Sequence, residues 1–265
     1  MAQNSKIEWT HHTANLWHGC TKVNAGCDNC YAEAMARRWG RDIWGNDKPR
    51  LVIQSVWTAL TKMQADAKQA GEIHRVFVGS MMDIFEKPMP LIFHNGEKGT
   101  EYMHTGQLRD KLWRYIDRGY FPNLLFLLLT KRPGNINKYI PESWKANPPA
   151  NVMFGTSVVN QATADTLIPQ LLQVNGKRFL SIEPQLEQVD IWQYLNRTVY
   201  LPGNDGRIDW VIQGGESGHH RRPFDLAWAY AMFWKCKLVG TPYFFKQIDK
   251  VQPIPDDLMV RQFPA

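Results

Sequence analysis

Hydrophobic positions along this chain fall into short unbroken blocks, each followed by a polar or glycine-rich tip. Arg75 to Val78 runs into Gly79-Ser80-Met81-Met82-Asp83, and Asn123 to Leu129 into Thr130-Lys131-Arg132-Pro133. Asn151 to Phe154 leads to Gly155-Thr156-Ser157, and Arg178 to Ser181 to Ile182-Glu183-Pro184. Asp209 to Gln213 precedes Gly214-Gly215-Glu216-Ser217-Gly218, and Pro242 to Phe245 precedes Lys246-Gln247. These blocks are strand-sized and do not alternate with polar residues, which predicts strands buried on both faces. Helical patterns lie between them, near 135–145, 161–174, 187–195 and 225–239. Earlier helices are predicted from Tyr31 to about Trp39, from Trp57 to Ala70 and from Gly106 to Arg118, with Gly40 and Gly71 as stops. Residues 41–56 are mixed in character, and prolines and glycines make 86–104 an irregular insertion.

Strands alternating with helices predict a parallel sheet. The expected fold is α/β: a partial (β/α)6-type TIM-like barrel of mostly parallel strands, with residues 1–265 as a single domain. Barrels of this kind build their sites from the C-terminal strand tips. The tips here offer Ser80, Asp83, Lys131, Arg132, Ser157, Glu183, Glu216, Lys246 and Gln247. Asp83 reads either as a ligand contact or as a helix cap. Pro184 biases Glu183 to extended backbone, which keeps its carboxylate at the strand end. Gly214 and Gly215 would let backbone approach a ligand, with Glu216 pointing into the barrel mouth. The run His219-His220-Arg221-Arg222 is either a phosphate-contacting loop or a solvated charge run.

Composition narrows the class without naming a substrate. Hydrophobic content of 44% and charged content of 21% are those of a globular protein, and no run of eighteen apolar residues exists. The N-terminus carries no apolar targeting segment, so a cytoplasmic location is expected. A net charge of +6 permits a polyanionic partner, and some of the eleven tryptophans sit beside arginines, as Trp39 does near Arg37, Arg38 and Arg41.

Chemistry concentrates in the stretch from Trp17 to Glu33. Cys20, Cys27 and Cys30 fall within eleven residues, the last two as C-x-x-C, with Asn24 and Gly26 making the intervening loop flexible. The set forms a three-thiolate corner with one coordination position unfilled, as a three-cysteine [4Fe-4S] cluster has. A zinc site with His18 as fourth ligand and a disulfide with a spare thiol are the alternatives. Cys236, amid Phe233, Trp234 and Leu238, reads as a buried structural thiol.

At these residues the chain resembles the radical S-adenosylmethionine enzymes, with the cysteine spacing extended to six and two residues. The run Gly-Cys-x6-Cys-Asp-Asn-Cys-Tyr-Ala-Glu is similar to a phage-borne three-cysteine family linked to thymidine hypermodification. The resemblance implies a cluster on Cys20, Cys27 and Cys30 whose open iron chelates S-adenosylmethionine. It also implies one-electron cleavage to a 5′-deoxyadenosyl radical, which abstracts hydrogen from the substrate. Ser80, Asp83, Lys131, Ser157 and Tyr31 are then candidate cofactor contacts, and Glu216, Glu183 and Lys246 candidate catalytic residues. A modified base in DNA is the implied substrate, the candidate reaction being isomerisation of a glycine adduct on thymidine. An electron donor such as a flavodoxin is the implied partner, and no membrane is involved. The rival functions are a zinc-stabilised nucleic-acid-binding protein without catalysis and a zinc-dependent hydrolase on the same barrel.

Overall fold

The apolar blocks lie side by side as strands of one parallel sheet in the computed structural model, which describes residues 5–94, 102–196 and 206–264. In chain order the first elements are β1 (His12–Ala14), β2 (Trp17–His18), α1 (Tyr31–Arg38), β3 (Arg50–Val52), α2 (Val56–Ala70), β4 (His74–Val78) and β5 (Leu91–Ile92). There follow α3 (Thr105–Asp117), β6 (Leu124–Thr130), α4 (Ile136–Tyr139), α5 (Glu142–Ala146), β7 (Val152–Ser157) and α6 (Gln161–Leu172). The last are β8 (Lys177–Ile182), α7 (Trp192–Leu195), β9 (Trp210–Gly214), α8 (Leu226–Val239) and β10 (Tyr243–Gln247). The main sheet has seven strands in the order β1-β4-β6-β7-β8-β9-β10, and every neighbouring pair is parallel. It curls into an α/β partial TIM-like barrel whose edges are β1 and β10.

Both faces of the sheet are buried, as the unbroken apolar blocks require. Inward positions bring Trp9, Phe77, Leu127, Met153, Phe179, Trp210, Ile212 and Phe244 together as a plug inside the curl. Outward positions, among them Val76, Phe126, Phe154, Leu180 and Val211, belong to a second core with helix residues such as Leu60, Leu112, Ile168 and Met232. Each such side chain contributes roughly 1.5–3 kcal/mol of burial. The open edge at β10 is covered by the C-terminal segment: Phe245 N–H donates to Val260 O at 3.0 Å, and Gln262 N–H to Tyr243 O at 3.0 Å.

Four local readings change. The helix expected near 135–145 is two short ones, because Ile140 is extended and Pro141 starts α5 as its N-cap. Of the helix expected over 187–195, only α7 forms. The segment 41–56 contains β3, which pairs antiparallel with β2 and parallel with β5 in a small second sheet. The insertion expected at 86–104 contributes β5 and a bridge between Pro90 and His104, and its stretch 95–101 lies outside the described residues. Among the described residues no helix is long and apolar enough to cross a membrane.

Candidate functional site

Strand periodicity carries the inward face upward from plug to mouth. On β8 the inward series is Phe179, Ser181 and then Glu183; on β7 it is Met153, Gly155 and Ser157; on β10 it is Phe244 and Lys246. Apolar members of each series form the plug, and polar members line a cavity of about 940 Å³, its open mouth included. Ile7, Trp9, Phe77 and Leu129 form its apolar lining, where cavity meets plug.

Cys20, Cys27, Cys30, Tyr31, Ser80, Asp83, Lys131, Ser157, Glu183 and Lys246 all line this cavity. Glu216 does not. Thr21, Arg132 and Ser181 also line it; for Ser181 the two-residue inward register was the available signal. All four cysteines are free thiols, and Cys236 is buried in α8, away from the cavity. The disulfide alternative is therefore not what this chain adopts.

The cysteine loop is held by contacts that reach far along the sequence. Gly19 has φ +115, a conformation open to glycine, and its N–H donates to Met81 O at 3.0 Å. Asn24 caps the 3-10 turn Ala25–Cys27, accepting from Gly26 N–H at 3.1 Å. Cys30 is the N-cap of α1, at the positive end of that helix. Buried Glu33 ties helix to loop through Lys22 at 3.0 Å, and within α1 it pairs with Arg37 at 2.6 Å. Arg50, fully buried, grips Glu86 through Nε at 2.9 Å and Nη2 at 2.6 Å, and its Nη2 also reaches Thr21 Oγ1 at 3.0 Å. Arg132 bridges Thr21 O at 2.8 Å and Asp83 Oδ2 at 2.7 Å, with Cys20 Sγ at 3.9 Å.

Electrostatics follow from burial. The Cys20 thiol is pushed up to about 12 by burial and by facing Asp83 and Glu86, with Arg132 opposing. A metal binding there displaces its proton. Half of Tyr31 is exposed, but its hydroxyl points inward and donates to Ser80 O at 2.5 Å. Burial and the neighbouring Cys30 push that phenol well up.

Two carboxylates are held by protein donors. Asp83 Oδ1 accepts from Phe85 N–H at 3.0 Å and Thr130 Oγ1 at 2.7 Å, while Oδ2 accepts from Lys131 N–H at 3.2 Å and Arg132 at 2.7 Å. Four bonds fill a carboxylate's acceptor positions, so Asp83 joins two strand tips and has no lone pair spare for a ligand amino group. Glu216 accepts from Arg222 Nη2 at 2.6 Å, Arg222 Nε and N–H at 3.0 Å each, and Asn29 Nδ2 at 3.0 Å. Arg222 Nη2 also donates to Ala25 O at 3.1 Å. Glu216 thus faces the cysteine loop, not the barrel mouth, and Arg222 of the basic run is a loop clamp. Gly215 is required for packing, since a Cβ there would lie 2.0 Å from Ile248 O.

The donor set can be weighed from this geometry. Among the described residues no three His, Cys, Asp or Glu side chains gather as ligands of one ion. A zinc ion at about 2.3 Å from each sulfur needs its ligands gathered on one point, whereas a cubane takes each thiolate on a separate iron. His18, the expected fourth zinc ligand, does not line the cavity: it stacks on Trp39, with Arg41 Nη1 3.5 Å from its Nδ1. Burial, with Arg41 adding, lowers its pKa to about 4. Three free thiols around one cavity are a donor set that a three-cysteine cluster takes.

Comparison with known proteins places this geometry. The family described as "Protein of unknown function (DUF5131)" matches residues 4–257. No curated protein was found to match the sequence. Among solved structures, a cysteine-to-serine mutant of spore photoproduct lyase superposes with a TM-score of 0.55 at 12% identity, over 92% of this chain and 78% of that one. At that identity the likeness is one of fold.

Proposed function

The chain belongs to the DUF5131 family, and from that footing we propose that it is a radical S-adenosylmethionine enzyme acting on a modified base in DNA. The observation that carries the proposal is the convergence of Cys20, Cys27 and Cys30 on one cavity at the C-terminal ends of a partial barrel. The shared fold with a protein named as a lyase of spore photoproduct supports an enzymatic reading. A bound [4Fe-4S] cluster would supply one electron for cleavage of S-adenosylmethionine. The chain's own residues bind, orient and exclude water. The three thiols would hold the cluster, while Tyr31, Ser80, Lys131 and Ser157 line the space for the cofactor, and Glu183 and Lys246 face the substrate. Asp83 acts behind them by fixing Arg132, and Glu216 by fixing the cysteine loop. The finer reading, carried by the resemblance of the cysteine stretch, is an isomerase that moves a glycine adduct on thymidine from nitrogen to carbon linkage. Residues 1–265 are taken as one domain, working in the cytoplasm with a flavodoxin-type electron donor.

Anaerobic reconstitution with iron and sulfide tests this directly. The expected result is about four irons per chain, with reductant-dependent release of 5′-deoxyadenosine from S-adenosylmethionine. DNA bearing an amino-acid-modified thymine should stimulate that release, and plain DNA should not. Alanine at Cys20, Cys27 or Cys30 should abolish iron binding, and Cys236→Ala should leave it unchanged. A full cluster without 5′-deoxyadenosine would refute the radical chemistry. Stimulation by small molecules and by no DNA would remove the nucleic-acid assignment.

A further inference from the structure

Ion pairs among the described residues border the cavity, and their remaining bonding capacity differs. The Asp83 carboxylate is saturated by the contacts given above, and Arg132 spends Nη1 on Asp83 and Nη2 on Thr21. Lys22 and Glu33 fasten the cysteine loop to α1. Another pair, Lys246 Nζ to Glu183 Oε2 at 2.7 Å, joins the tips of β8 and β10 across the intervening β9. Its side chains are only 17% and 14% exposed, and both line the cavity. Glu183 Oε1 is buried and accepts no hydrogen bond among the described residues. Lys246 has three N–H donors, of which Glu183 engages one.

The backbone supports the same spot. Along β10, Phe245 is in register with Gln213 and Gln247 with Gly214, so Lys246 is the extra residue of a bulge. Bulges cluster beside active sites. Lys246 keeps the inward alternation set by Phe244 and lines the cavity at an edge strand where its neighbours Phe245 and Gln247 are buried.

We propose that Glu183 and Lys246 form a receptor for a zwitterionic α-amino-acid group on the substrate, its ammonium bound to Glu183 and its carboxylate to Lys246. This rests on the reading of the cavity as a site for a modified base and specifies the modification. A ligand bearing only a carboxylate would part the pair and leave Glu183 charged and unpaired in a largely buried place; one bearing only an amine would strand Lys246. A ligand with both charges exchanges one ion pair for two and also satisfies the free oxygen of Glu183. Lys131 remains for a second anion, such as a phosphate or the carboxylate of S-adenosylmethionine.

Binding measurements on the full-length chain, purified without oxygen, test the receptor apart from turnover. The probes are thymidine carrying glycine linked through nitrogen to its methyl carbon, the methyl ester of that compound, its N-acetyl derivative, free glycine and thymidine. The ester and the N-acetyl compound should each bind the wild type more weakly by on the order of ten-fold or more, as sites with stranded polar groups reject their analogues. Glu183→Gln should remove the penalty for acetylation and keep that for the ester, and Lys246→Met should do the reverse. Equal binding of the three nucleosides, or no binding of the zwitterionic one, overturns the proposal, and it does so on the wild type even if a variant fails to fold. A matching loss of S-adenosylmethionine affinity in both variants would also overturn it, by assigning the pair to the cofactor. If free glycine and its blocked forms reproduce the discrimination while the nucleoside adds no affinity, the receptor stands and the modified-base reading falls.

Discussion

Gly19 sits directly before Cys20, the first of the three loop cysteines, with φ +115, and a Cβ there would lie 2.4 Å from Ile43 O and 2.8 Å from the Arg50 side chain. Gly40, at φ +66, would meet nothing within 4 Å. The two glycines separate conformational strain from collision. Gly40→Ala should cost about 1 kcal/mol, the backbone penalty alone. Gly19→Ala should cost about 3 kcal/mol or more, because backbone strain and overpacking combine. Urea unfolding midpoints of the two variants measure this, and equal costs would refute the account of Gly19. The cysteines themselves were legible because their spacing is local. The residues that hold them were not: Arg50 finds Glu86 across 36 positions, and Arg132 reaches Thr21 across 111. Asp83 stayed open between a ligand contact and a helix cap for the same reason, since Thr130, Lys131 and Arg132, which bond to it, arrive from the next strand of the barrel.

Elements set which loops can act together. The turn after β9 was read as a ligand approach, but Gly215 is fixed by the backbone of Ile248, and Glu216 reaches sideways to Asn29 and Arg222. With Arg222 also on Ala25 O and 3.6 Å from Asp28, this turn latches the segment between Cys27 and Cys30. Glu216→Gln should leave iron ligands intact but raise amide hydrogen exchange across 24–30. Arg222→Met should do the same, and the double variant should add little beyond either. Burial opposes the charge on Glu216, but hydrogen bonds from Arg222 and Asn29 prevail and lower its pKa from the usual 4.5. A depressed carboxyl contributes stability that is present above its unfolded pKa and is lost as pH falls through the folded one. Protection of 24–30 should therefore persist down to about pH 4.5 and fade only below it. Loss of that protection between pH 7 and 5, with Glu216 intact, would show that the latch is not what holds the loop. Helix boundaries with local signals were legible, such as the left-handed glycine cap Gly71. The second sheet was not, because its strands are only two or three residues long and pair across insertions.

Across the whole molecule, one side of the curled sheet serves two purposes at two heights. The inward register that packs Phe179 against Trp210 at 5.9 Å continues two residues later to Ser181 on the cavity wall and then to Glu183. The order of apolar block and polar tip in the sequence encoded this division, which is why most tip residues read from it do line the cavity. Stability and chemistry should then separate along a single strand. Phe179→Ala removes a fully buried ring from the plug and should cost about 3–5 kcal/mol. Ser181→Ala removes one hydroxyl at the cavity wall and should cost about 1 kcal/mol or less. Cofactor binding should show the opposite ranking: the folded fraction of Phe179→Ala should take up iron and S-adenosylmethionine as the wild type does, while Ser181→Ala alters the surface that meets the ligand. Phe179 packs beneath the site, touching the plug and Gly155, where its ring lies 2.4 Å from a would-be Cβ. Its loss leaves a void below the cavity without moving the cysteine loop, which is anchored through Arg50, Arg132 and Arg222 instead. Iron content and unfolding midpoints, measured on the same preparations, decide the matter: a Phe179→Ala protein that stays folded but cannot hold iron would mean that plug and site are one mechanical unit.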